Sequence, residues 1–172
     1  GVRGERFKRT GGAADTQSMI SVDDRAALLD QTSWVRGLSW EQVRALACYM
    51  EVRDAPADAV LVLEGDRDAF LCVIASGEAE VTKRDATGVE RSVTRLLRGQ
   101  CFGEVSLLDG EPRSASVRAT GPVTLLRLSA QDLDRLLTEK PRLGAEVFRR
   151  LGRAASQHLR RTSGRLVDVL ST

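Results

Sequence analysis

Phe102-Gly103-Glu104-Val105-Ser106-Leu107-Leu108-Asp109-Gly110-Glu111-Pro112-Arg113-Ser114-Ala115-Ser116-Val117 is the stretch of this 172-residue chain where the chemistry is most concentrated. Gly103 lets the backbone turn with positive φ or approach a neighbour closely. Glu104 to Leu108 then suit one short helical turn, whose first amides have no intrahelical partner. A free N-terminus of that kind attracts an anion, most simply a phosphate. Gly110 ends the turn, and Pro112 fixes φ and prevents its continuation. Arg113 follows with a planar fork that matches phosphate oxygens. Ser114 and Ser116 add hydroxyls. An acid at the start, an arginine at the end and free amides between them suit a ligand with one phosphate and one sugar hydroxyl.

Around this stretch, from Val52 to Leu128, short β-rich runs alternate with turn signals. The runs are Val60–Leu63, Leu71–Ile74, Ala79–Thr82, Ser92–Leu96, Ser116–Ala119 and Val123–Leu128. Turns are expected at Pro56, Gly65-Asp66, Gly77, Thr87-Gly88, Gly99 and Gly121-Pro122. Many short strands with regular turns imply an antiparallel sandwich or roll. Residues 22–51 read as helices. Asp23 or Asp24 is the expected cap of the first, and Ser39 with Gln42 forms a capping box for the second. After the roll, Ser129 is the expected cap of a helix carrying Leu133, Leu136 and Leu137. Pro141 suits the first turn of a final helix whose stripe runs Leu143, Val147, Leu151, Ala155, Leu159, Thr162, Leu166 and Val169. Fraying is expected near Gly164.

The Phe-Gly-Glu at 102–104 and the Pro-Arg-Ser-Ala at 112–115 together resemble the phosphate-binding cassette of cyclic-nucleotide-binding domains. That family includes the catabolite activator protein, protein kinase A regulatory subunits and cyclic-nucleotide-gated channels. The resemblance runs from about Trp34 to about Leu159, and Trp34 to Ser39 resembles the family's entry into its barrel. It implies a mainly β fold with flanking helices. The core is an antiparallel, jelly-roll-like β-roll of about eight strands, with N-terminal helices and two C-terminal helices. Residues 1–21 are expected to be a tail or linker, and residues 22–172 the domain. Gly65, Gly77 and Gly99 fall where the family roll has its glycines. Ala57-Asp58, where a glycine is usual, and Leu71, where an aromatic is common, depart from the pattern.

The same resemblance assigns Glu104 to the ribose 2′-hydroxyl and Arg113 to the exocyclic phosphate oxygens. Gly103 allows close approach, and amides near Val105, Ser106, Ser114 and Ala115 complete the anion site. The carboxylate role is physically sound, because an ionised Glu104 only accepts hydrogen bonds. Ser106 replaces the usual Ala or Gly. The Ser114 hydroxyl fits a phosphate or the amino group of a syn guanine, so the ligand is cAMP or cGMP. Thr94 and Leu96 occupy strand positions that face the base. His158, with Leu159, falls where related final helices cap the purine; the alternative places it on an exposed helix face. The competing reading of Glu104 and Arg113 is a plain ion pair on a surface loop.

Other functions are less compatible with the residues. His158 is the sole histidine, which argues against a metal-dependent cupin. No nucleophile stands with a base, so the chain reads as a non-enzyme without a cofactor. Net charge is +2 and names no partner. The final helix is basic, with Arg142, Arg149, Arg150, Arg153, Arg160, Arg161 and Arg165 against Glu146 and Asp168. A solvated face opposite a dimer seam is the expected reading, rather than direct DNA binding, since no helix-turn-helix follows. Cys48, Cys72 and Cys101 read as reduced cytoplasmic thiols in or near the core, and Trp34 and Trp40 as packing residues. Neither a signal peptide nor an apolar run long enough for a bilayer is visible. The chain starts with Gly1 and not Met, so an excised fragment of a longer protein, or a cloning scar, is expected. A homodimer through the last helix, or a fused or partner effector domain, is expected. The alternatives are a degenerate domain kept for dimerisation or protein interaction, and a relative that binds cyclic di-GMP.

Overall fold

Two four-stranded antiparallel sheets face each other in the computed structural model, which describes residues 20–170. The first has the order β1 (Glu51–Ala55), β8 (Val123–Ser129), β3 (Phe70–Ser76), β6 (Cys101–Phe102). The second has the order β2 (Val60–Val62), β7 (Ser116–Ala119), β4 (Ala79–Arg84), β5 (Glu90–Leu96). The eight strands with flanking helices are the antiparallel roll expected from the sequence.

Strand β3 explains the layering. Successive side chains on a strand point to opposite faces. Phe70, Cys72 and Ile74 therefore join the core between the sheets, with Leu61, Leu96, Phe102 and Leu125. Leu71, Val73 and Ala75 face the other way and join a second core built with the helices. A strand covered on both faces reads as an unbroken apolar run, and Phe70 to Ala75 is one.

The helices cover only the outer face of the first sheet. α1 (Val22–Asp30) and α2 (Trp40–Ala47) precede the roll, with a 3-10 turn at Ser33–Val35 between them. Ser21 caps α1 by accepting from the Asp24 amide at 3.0 Å. The acids expected to cap it, Asp23 and Asp24, lie in the first turn instead, where their charge complements the helix dipole. Ser39 and Gln42 make the expected capping box on α2. α4 (Ala130–Glu139) is capped by Ser129, and α5 (Pro141–Leu170) starts at Pro141, both as expected. A Cβ on Gly144 would lie 2.8 Å from the Leu137 side chain, so this glycine lets α5 fold back tightly on α4.

Several expectations need correction. β1 and β6 were not read from the sequence as strands. Trp34 is buried, but Trp40 stands at the start of α2 with 47% exposure. Cys72 and Cys101 are buried, whereas Cys48 is exposed. The α5 stripe drifts: each step of four overshoots a full turn by about 40°. Leu143, Val147 and Leu151 are buried, while Leu159 has rotated away and is 68% exposed. The helix runs through Gly164 to Leu170. The anticipated tail lies outside the described residues as far as position 19. The side chains of Leu166 and Val169 do so as well.

Asp58 resolves one departure from the family pattern. It has φ +66, the left-handed conformation a glycine would take, which Asp tolerates better than most residues. Its amide donates to the Ala119 carbonyl at 2.9 Å, and its carbonyl accepts from Arg118 at 2.9 Å.

Candidate functional site

Gly103 leaves β6 with φ +88 and opens α3 (Glu104–Asp109), which Gly110 closes with φ +73. Gly103 is needed for space as well as for φ. An added Cβ would lie 2.3 Å from the Phe70 carbonyl oxygen and 2.7 Å from Arg113 Nη1. Beyond α3 the chain returns through Pro112 to Arg113, whose backbone is fixed to the β2–β3 turn. The Arg113 amide donates to the Asp66 carbonyl at 2.8 Å, and its carbonyl accepts from the Gly65 amide at 2.9 Å.

The Arg113 side chain is only 4% exposed. Nη1 donates to the Gly103 carbonyl and Nη2 to the Phe70 carbonyl, each at 3.0 Å. The guanidinium carbon sits 4.3 Å from the centroid of the Phe70 ring. Arg113 is thus held in one rotamer by two carbonyls and a ring. A guanidinium has five N–H donors, so this anchoring leaves others for an anion. Burial pushes its pKa below the ordinary value, so a bound anion would relieve a desolvated charge.

Glu104 is 1% exposed, and its partner is not the arginine of the surface ion-pair reading. His158, on α5, holds it with Nδ1 2.6 Å from Oε1. The hydrogen bond to Glu104 raises the imidazole pKa; burial and Arg161 oppose it. His158 is therefore in the site and not on an exposed helix face, with its ring bound to the carboxylate. Leu159, expected beside it, points outward.

These groups wall a cavity of about 490 Å³. All ten residues named from the sequence line it: Thr94, Leu96, Gly103, Glu104, Val105, Ser106, Arg113, Ser114, Ala115 and His158. Ser116 is not among them; its hydroxyl accepts from the Glu64 amide at 2.9 Å and braces β2 against β7. Sequence reasoning missed Val62, Val81, Lys83, Ser92, Val93, Phe102, Val117, Arg161 and Thr162. Some of these had a signal. Val81 and Lys83 share one face of β4, and Arg161 and Thr162 stand three and four residues beyond His158, on its side of the helix. Phe70 had none, because its role behind Arg113 depends on tertiary contact. Among the described residues, no group of His, Cys, Asp and Glu is placed to hold a metal ion. None of the described helices is long and apolar enough to cross a membrane.

The sequence pattern of one family, the cyclic nucleotide-binding domain, matches residues 52–140, which is half of the chain. The chain belongs to that family. This cyclic nucleotide-binding domain is 34% identical over 122 residues to the cyclic AMP receptor protein of Thermus thermophilus, covering 69% of this chain and 56% of the relative. It is 34% identical over 111 residues to a cAMP-dependent protein kinase regulatory subunit of Emericella nidulans, covering 64% of this chain and 26% of the relative. It also matches the crystal structure of a cyclic nucleotide-binding domain from Methylobacillus flagellatus, with a TM-score of 0.75, 31% identity, and coverage of 86% and 83% of the two chains. The matched part thus spans 56% or less of the two curated relatives.

Proposed function

We propose that this domain is a non-catalytic receptor for one cyclic mononucleotide, cAMP or cGMP. One observation carries the reading: a buried acid that opens α3 and a buried arginine four residues beyond its end wall the same cavity. Arg113 takes the exocyclic phosphate oxygens, and amides near Val105, Ser106, Ser114 and Ala115 complete the anion site. Glu104 accepts from the ribose hydroxyl. Thr94 and Leu96 pack on the base, which few hydrogen bonds discriminate. The names of the Thermus and Emericella relatives support cAMP. The nucleotide is the ligand, and no further cofactor enters.

Binding is relayed through α3. Leu107 and Leu108 pack against the core that includes Leu133 and Leu136 of α4 and Val147 and Leu151 of α5. Reversing a 1:99 population requires a differential of about 5.5 kcal/mol. A charge-assisted phosphate contact and a closed base site supply terms of that order. The output is the geometry of a homodimer through α5, or control of a fused or partner domain, rather than direct contact with DNA. The buried thiols of Cys72 and Cys101, both pushed up to about 12 chiefly by desolvation, fit a reducing cytoplasmic setting.

Titration calorimetry with cAMP, cGMP and cyclic di-GMP tests the reading. Saturable binding of one mononucleotide is expected. Arg113→Lys keeps the charge but loses the fork, and should weaken binding by about 2 kcal/mol. An unchanged dissociation constant in that variant overturns the assignment. Binding of cyclic di-GMP alone overturns the choice of ligand.

A further inference from the structure

We propose that His158 is a tethered competitor for the sugar-binding carboxylate: its imidazole occupies Glu104 from the final helix, and the nucleotide's hydroxyl must take that acceptor away from it. This rests on the receptor reading above and names how the site is regulated. Three observations support it. Glu104 is 1% exposed, so a solute meets almost none of its surface while the present contacts hold. The half-buried imidazole stands 2.6 Å from Oε1 and lines the cavity itself. An imidazole N–H and a sugar hydroxyl are both donors, so each suits the same acceptor.

The competitor is fixed to α5, and this couples the pocket to the helix. Glu104 cannot be left buried and unpaired without a large desolvation penalty, so it always demands a donor. When the sugar provides that donor, His158 is released, and the helix loses a contact to α3. The nucleotide thereby exchanges an internal partner for an external one, and α5 registers the exchange.

The contact is also proton-sensitive. The charged and titratable groups around His158 are Glu104 on α3, Arg161 on its own helix, Arg113 on the cassette and Lys83 on β4. Glu104 dominates and raises the imidazole pKa above its ordinary 6.5. Protonation therefore favours the His158–Glu104 contact. Nucleotide affinity should improve as pH rises from about 6.5 through the raised value and then level off. At lower pH the histidine is charged in both states, and this contribution is flat.

His158→Ala removes the competitor. Titration calorimetry should show it binding the nucleotide at least about tenfold more tightly than the natural chain, with a smaller pH dependence between 6 and 8. Equal or weaker binding by the variant overturns the proposal and makes His158 a bystander or a base contact. If neither protein binds cAMP or cGMP, it is the receptor reading that falls. A second measurement needs no nucleotide. His158 is the only histidine, so in tag-free protein one imidazole signal is seen by NMR. Its midpoint should lie above 6.5 and return towards it in Glu104→Gln. A midpoint that does not move overturns the pairing itself.

Discussion

Gly103 and Gly110 have similar backbone angles at the two ends of one short helix, yet their surroundings differ. At Gly110 a Cβ would meet nothing within 4 Å, so Gly110→Ala carries only the backbone cost of φ +73, about 1–2 kcal/mol. At Gly103 the same atom would strike the Phe70 carbonyl and the Arg113 guanidinium. Gly103→Ala should therefore lower the urea midpoint clearly more than Gly110→Ala. It should also abolish nucleotide binding, while Gly110→Ala retains it. Equal losses in the two variants would show that the close approach at Gly103 is not a constraint. The first half of this contrast was legible in the sequence, because a glycine before an acid and another two residues before a proline mark a turn closed by glycine at both ends. A close approach at Gly103 was legible too, but not what it approaches. Phe70 lies far from Gly103 in the chain, and only the β3–β6 pairing brings its carbonyl there.

At the level of elements, legibility followed the strength of local patterns. Six strands were visible because apolar and β-branched residues cluster between turn signals. β6 has only Cys101 and Phe102, too few residues to show a period. β1 shows no alternation: its two buried residues, Val52 and Ala55, are three apart and join different cores, and at an edge propensity is weak and pairing with β8 decides. The α5 stripe failed differently, since equal steps of four look regular in sequence but precess in space. The misplacement of Leu159 and the placement of His158 beneath Leu151 have that common cause. α5 also carries a clamp no pattern announced. Arg150 donates to the Trp34 carbonyl at 2.6 Å and the Arg36 carbonyl at 3.0 Å, and pairs with Glu146 at 3.2 Å. Arg150→Ala strips both carbonyls of their donor and should cost about 1–3 kcal/mol in urea unfolding. Arg150→Lys should recover only part, since one ammonium does not reproduce the fork. Full recovery by lysine would reduce the clamp to simple charge.

For the molecule as a whole, the His158–Glu104 contact ties stability to pH. The folded-state pKa of His158 lies above its unfolded value, so the contact's contribution is fully present below about 6.5 and is lost as pH rises through the raised value. Chemical denaturation should find the natural chain losing more stability between pH 6 and 8.5 than His158→Ala does. Parallel profiles in the two proteins would mean that the contact adds nothing to folding. Net charge and composition gave no hint of this, because it depends on one pair joined across two elements.

Two polar attachments of α5, beyond the buried Leu143, Val147 and Leu151, also have a mechanical corollary. Arg150 fastens the rod to the N-terminal turn, and His158 grips the roll about two turns further on, ~12 Å along the axis. Leu170 lies ~30 Å from Arg150 along the same line. With Arg150 as fulcrum, letting go at His158 by ~2 Å would swing the far end by ~5 Å, so a shift at Glu104 would arrive at the distal tip roughly two and a half times larger.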